Sequence, residues 1–155
     1  KRNEFDRLVK TIRIMDEVKR QHLTFIQGVI TRMNTNSFQI KGWTITIVSA
    51  LLALYANSFN VIYIFVAIIP VLLFWFLDAY YLQQERKFRG IYNDVAELGE
   101  VKEIIVKPFE MPLENYKEGK YCYFNVFRSK TIAWFYGALF LFLLVGGLVL
   151  KLKIV

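Results

Sequence analysis

Apolar positions along this chain follow two periods and one unbroken run. Residues 5–33 carry Phe5, Leu8, Val9, Ile12, Met15, Val18, Leu23, Ile26, Ile30 and Met33, spaced mainly by three and four. That is the period of one helix face, and no proline interrupts it, so the segment 1–41 is predicted to be an amphipathic helix. Unbroken from residue 3 to 40 it would extend roughly 55 Å at 1.5 Å per residue. A helix of that kind needs partners for its apolar stripe. From 42 to 77 the pattern gives way to 36 residues without a formal charge. One bilayer crossing takes roughly 20 residues, so this run suits two. The turn formers of Ala56-Asn57-Ser58-Phe59-Asn60 place the reversal between spans near 42–57 and 61–80. A third span, 131–150, lies between Lys130 and Lys151.

Between the second and third spans, Leu82, Phe88, Ile91, Tyr92, Val95 and Leu98 continue a helical pattern, with Gly99 as its expected C-cap. VKEIIVKPFEMP, broken by Pro108 and Pro112, is expected to be irregular with a brief strand. GKYCYFNVFRSK then returns the chain to the interface. The predicted fold is an all-α integral membrane protein in four segments. They are a cytoplasmic amphipathic helix (1–41), a transmembrane hairpin (42–80), a helical to irregular cytoplasmic segment (81–130), and a third transmembrane helix with a short tail (131–155).

Composition agrees with the membrane assignment. A chain of 155 residues that is 55% hydrophobic and 17% aromatic cannot hide that fraction inside a globule of its size. Charge sets the orientation. Segments 1–41 and 78–130 each hold 9 Lys and Arg, against only Lys151 and Lys153 on the other side. The positive-inside rule puts the two large segments and the N-terminus in the cytoplasm and the C-terminus outside it. Trp43, Trp75 and Trp134 then fall at one interface as anchors, joined by Tyr80, Tyr81 and Tyr136. The net charge of +7 is accounted for by anionic headgroups. The middle segment is charge-balanced, and no direct nucleic-acid binding is expected. The first forty residues carry no secretory-signal pattern.

Two faces of the N-terminal helix stand out. Gly42, Thr46, Ser49, Ala53 and Ala56 recur by fours and threes, a small-residue face suited to packing against another helix or to lining a pore. Arg20, Thr24, Gln27, Thr31, Asn34, Ser37 and Lys41 form a polar stripe. Between its two ends the stripe has no formal charge, and within 21–40 only Arg32 is charged. A solvated helix face ordinarily carries Glu and Lys. Amides and hydroxyls suit inter-chain hydrogen bonds or a water-filled lumen. Three spans cannot enclose a channel, so either use of the stripe requires a homo-oligomer, as a ring if it conducts. Asp78, at the exit of the second span, is expected to pair with Lys41 or a headgroup. Pro70 is expected to kink the second span, and Gly146-Gly147 to loosen or tightly pack the end of the third.

Enzyme chemistry is not written in these residues. One His and one Cys allow neither a metal cluster nor a Cys–His pair, and no phosphate-binding glycine loop occurs. No cofactor is expected; Cys122 reads as an interfacial thiol and His22 as a packing or interface residue. The runs HLTFIQGVITRMNTNSFQIKGWTITIVSALLALYA and FWFLDAYYLQQERKFRGIY resemble the small bacterial membrane accessory proteins encoded beside type VI-B CRISPR RNA-guided ribonucleases. The resemblance covers residues 17–92, and the third span more loosely. It implies a multi-pass inner-membrane pore, N-terminus cytoplasmic and C-terminus periplasmic, that is functionally coupled to an RNA-targeting ribonuclease in antiviral defence. That family has also been described as carrying a divergent HEPN ribonuclease motif, an Arg followed by His after four to six intervening residues. Here residues 15 to 17, before His22, are Met, Asp and Glu, so no catalytic residue carries over. The expectation is a homo-oligomeric, non-enzymatic pore. The alternatives are a HEPN-like ribonuclease using His22 with Arg20, and a non-conducting membrane scaffold.

Overall fold

The computed structural model describes residues 2–98 and 106–154. Helix α1 spans Arg2–Ser58, α2 Ile62–Ala96, α3 Tyr123–Phe127 and α4 Lys130–Ile154, with single 3₁₀ turns at Leu113–Asn115 and Gly119–Tyr121. No strand occurs among the described residues; Gly99 and the start of the expected strand segment, 101–105, lie outside them. Helices α1, α2 and α4 are each long and apolar enough to cross a membrane.

The amphipathic segment and the first span are one helix, with no break at 41–42. At 1.5 Å per residue its 57 residues extend about 85 Å. It ends where the turn formers cluster. Phe59 takes a positive φ of 53°, and the Asn60 side-chain oxygen accepts from the Ile62 amide at 3.1 Å, starting α2 in the opposite direction. Helix α2 continues through Pro70. Its end is a Schellman arrangement with Glu97 at φ 57°. The Leu98 amide reaches the Asn93 carbonyl at 3.0 Å and the Glu97 amide reaches Asp94 at 3.3 Å, satisfying carbonyls the helix leaves open.

Helix α2 is the central element: α1 packs along one side of it and α4 along another. Two apolar cores follow. One, in the uncharged half, joins Val48, Ile64, Ala67, Val71, Ile132 and Leu143. The other, at the charged end, joins Ile26, Val29 and Ile30 of α1 to Phe88, Ile91, Tyr116 and Tyr121.

Two glycines on these faces permit the close approach. A Cβ on Gly147 would lie 3.2 Å from Phe65 and 3.3 Å from Ile64, whereas one on Gly146 would meet nothing within 4 Å. The pair therefore packs tightly at Gly147 alone. At Gly90, a Cβ would fall 2.6 Å from the Tyr121 hydroxyl and 2.7 Å from the Tyr116 ring. Nothing in the sequence distinguished Gly90 beforehand. Of the three tryptophans, Trp43 and Trp134 are exposed. Trp75 is half-buried: its ring stacks on Phe127 at 4.7 Å and lies near Tyr136 at 6.1 Å. Its indole N–H donates to the Phe127 carbonyl at 3.3 Å. The short α3 supplies a surface that turns this ring inward.

Gly90→Ala should force Tyr116 and Tyr121 off α2 and lower stability by about 1–3 kcal/mol, the usual cost of overpacking. Thermal unfolding in detergent, with earlier proteolysis near 106–121, is the check.

Candidate functional site

The polar stripe does not stay on one face. At about 100° per residue, the steps Thr31 to Asn34 and Asn34 to Ser37 each fall short of a full turn by about 60°. The result is that Arg20, Thr24, Gln27, Thr31 and Asn34 are exposed, while Ser37 is buried and Lys41 half-buried. These last two have rotated onto α2 and leave the stripe. Their place on the outward side is taken by Gly42, Thr46, Ser49, Ala53 and Ala56, all exposed. The small-residue face is therefore not used against α2 or α4. Instead Ile40, Thr44 and Val48 are the buried positions of this stretch. The outer polar residues and the small residues share the outward side of α1, with the exposed Phe38 between them.

Ser37 and Lys41 meet the one carboxylate of the second span. Asp78 has 0% exposure. The Lys41 ammonium lies 2.5 Å from Asp78 Oδ2 and donates to Ser37 Oγ at 2.8 Å, while Ser37 Oγ donates to Asp78 Oδ1. Thr44, one helical turn beyond Lys41 toward the apolar half, donates back to the Ile40 carbonyl at 2.8 Å. The fully buried Tyr136 phenol of α4 lies beside both Asp78 and Thr44. Three helices thus converge on one carboxylate. Burying a charge is tolerated when it is both paired and hydrogen-bonded, and both conditions hold here. Lys41 keeps 23% of its side chain exposed, so its ammonium retains access to the surface while Asp78 has none.

The charged end holds the second polar feature. A cavity of about 370 Å³ is lined by Ile14, Met15, Val18, Val95, Val106 and Pro108, together with Asp16, Lys19, His22, Asp94 and Glu97. Lys19 bridges to Glu97 at 3.3 Å, and the Tyr116 hydroxyl donates to Asp94 at 2.5 Å. His22 is 1% exposed, with its ring 5.7 Å from that of Phe109, a residue held at φ 62°. The imidazole Nε2 has no hydrogen-bond partner. Burial pushes this imidazole below its ordinary value, opposed in part by a hydrogen bond to the Glu110 backbone. Arg20, by contrast, is exposed on another side of α1 and pairs with Glu17 at 2.6 Å. Two residues apart, His22 and Arg20 point about 160° away from each other and share no site. Among the described residues no group of His, Cys, Asp and Glu is placed to hold a metal. Comparison with protein-family models, with curated proteins and with solved structures finds no match to this chain.

Lys41→Met should destabilise the protein more than Asp78→Asn. The first leaves a fully buried carboxylate paired only with Ser37, at about 3–5 kcal/mol. The second leaves an ammonium that can turn toward the surface. Lys41→Met with Asp78→Leu should recover most of the loss, read as a double-mutant cycle on thermal unfolding. For His22 the sign follows from its lowered value. The unfolded chain holds the proton more tightly, so this stability is fully present above the ordinary histidine value of about 6.5 and lost as pH falls through the lower folded value. Acidification should therefore loosen segment 106–116 from α1, and His22→Phe should flatten that pH dependence, measured by limited proteolysis from pH 7.5 to 5.

Proposed function

We propose that this chain is the protomer of a homo-oligomeric membrane pore, with the outward face of α1 lining the passage. The observation that carries the reading is the absence of charge along that face. It runs from Thr24 through Gln27, Thr31 and Asn34 to Thr46, Ser49 and Ala53 without a formal charge, and every one of these side chains is exposed in the single protomer. Amides and hydroxyls stabilise water and partly hydrated ions without trapping them, which conduction requires. The small residues leave room for a lumen where the helix crosses the apolar layer. One such face cannot enclose water, so the reading requires a closed ring of protomers, cytoplasmic at the end that carries residues 2–36.

The Ser37–Lys41–Asp78 cluster has a defined part in this assembly. It holds α1 against α2 with the uncharged face outward and keeps the charges of the spans away from the passage. The resemblance of residues 17–92 to the type VI-B accessory proteins supplies the setting. The pore would permeabilise or depolarise the bacterial inner membrane and so strengthen antiviral defence by an RNA-targeting ribonuclease. A ribonuclease reading is less well supported, because His22 is buried and Arg20 faces elsewhere. A non-conducting scaffold would use the same outward face as a packing surface.

Reconstituted in liposomes, the protein should conduct ions. Asn34→Leu and Gln27→Leu should each lower flux at least about tenfold while leaving oligomer size unchanged, because an apolar constriction dewets. Normal conduction by both variants would remove this face from the passage, and no conduction by the parent protein would leave the scaffold.

A further inference from the structure

Two aromatic side chains stand exposed within five residues of each other on α1, Phe38 by 77% and Trp43 by 57%. At about 100° per residue they point about 140° apart, and their surroundings differ accordingly. Trp43 leans toward α2 and shares a recess with Leu77 and Tyr81, where its indole N–H suits the boundary between water and lipid. Phe38 lies on the other side. Asn34 and Gly42 flank it, each about 40° away around the axis, so its ring stands on the uncharged outward face and belongs to neither apolar core. A phenyl ring has no polar group to offer an interface. The backbone that carries it is held from both directions: Ser37, the residue before, donates to Asp78, and Lys41, three residues on, pairs with the same carboxylate. The bulkiest apolar group of the outward face therefore projects from the most firmly fixed point of the helix.

We infer that Phe38 is the constriction of the passage. In a closed ring every protomer brings this ring to the same level, and together they form an apolar girdle that limits and gates flux. The inference rests on the pore reading and adds the place where the passage narrows. On the cytoplasmic side, Thr31 and Asn34 offer a hydroxyl and an amide to water. On the other side, Gly42, Thr46 and Ser49 are short, so the lumen widens there; the next apolar side chain on this face is the smaller Ile45, exposed by 51%. A narrow apolar ring sheds its water, and ions do not enter where neither water nor polar ligands replace their hydration. A slight widening wets it again, so a small displacement of α1 opens it. Lys41, about 60° around the axis from Phe38, could bring an ammonium to the girdle, but Asp78 holds it inward. The girdle thus stays uncharged.

The test measures ion flux of the full-length chain in liposomes. Phe38→Ala and Phe38→Asn should each raise flux at least about fivefold, with oligomer size by mass photometry unchanged, whereas Phe38→Leu should stay within about twofold of the parent. In a Cys122→Ser background, modifying Phe38→Cys with a charged thiosulfonate should change flux at least about fivefold, and modifying Trp43→Cys should leave it within about twofold. Unchanged flux in Phe38→Ala and Phe38→Asn, with Asn34→Leu still impaired, overturns the girdle and leaves the pore reading standing. Failure of both the parent and Phe38→Ala to conduct overturns both. Loss of oligomer in Phe38→Ala and Phe38→Asn, without a rise in flux through the oligomers that remain, assigns the ring to packing between copies and likewise overturns the inference.

Discussion

The Lys41 ammonium and the Asp78 carboxylate meet at the level where the charged half of the molecule gives way to the uncharged one. A carboxylate without solvent exposure must find its donors within the protein, and the face of α1 that carries Ser37 and Lys41 supplies them. This requirement fixes the rotation of α1 about its own axis. A shift of one residue would turn the helix by about 100°, removing both donors from Asp78 and bringing a different set of side chains to the outside. The exposure of Gln27, Thr31 and Asn34, and of Thr46 and Ser49 beyond them, therefore follows from the buried pair. So does the antiparallel register of the hairpin, which places Lys19 opposite Glu97 at the far end. That outer bridge is solvent-exposed and contributes little by itself.

With α1 held in this way, its length divides into zones with different surroundings. Residues 2–17 are all exposed, although Ile14, Met15 and Asp16 line the cavity at the charged end. The next stretch uses Ile26, Val29 and Ile30 for the core at the charged end and turns amides and hydroxyls outward. The last stretch packs Thr44 and Val48 inward and leaves small residues facing out. Only the side of the helix that carries His22, Ile26, Ile30, Ser37, Thr44 and Val48 is buried in this chain. The exposed faces, an apolar one on residues 2–17 and an uncharged polar one below it, are the physical basis for reading the protein as an assembly.

Helix α2 meets its neighbours closely at two glycines, Gly147 of α4 and its own Gly90. At Gly147 the ring of Phe65 would be in tight contact with an added side chain, and at Gly90 two tyrosines occupy the place it would take. In sequence, a glycine within a helical pattern reads as a weak point, and only the neighbour across the contact shows that its bareness is used. Trp75 illustrates the same limit. Its position at the end of an apolar run marks an interfacial anchor, and only the structure shows that α3, separated by some fifty residues, stacks Phe127 on its ring.

Much was legible from the chain alone. The three helices long and apolar enough to cross a membrane, the turn at residues 56–60 and the need of Asp78 for a partner, Lys41 or a headgroup, follow from local facts: charge-free length, turn chemistry, and the cost of an unpaired carboxylate near lipid. The polar stripe was legible as a set of residues but not as a surface. Helical spacing gives relative directions, and two short steps in succession were enough to carry Ser37 and Lys41 from the outside to the inside. Which side of α1 is inside depends on where α2 places Asp78. The His22 cavity, too, is formed by segments far apart in the chain, closed by Val95 and Pro108. Periodicity is a property of one helix, whereas azimuth, close approach and enclosure belong to pairs of helices, and those only the tertiary structure decided.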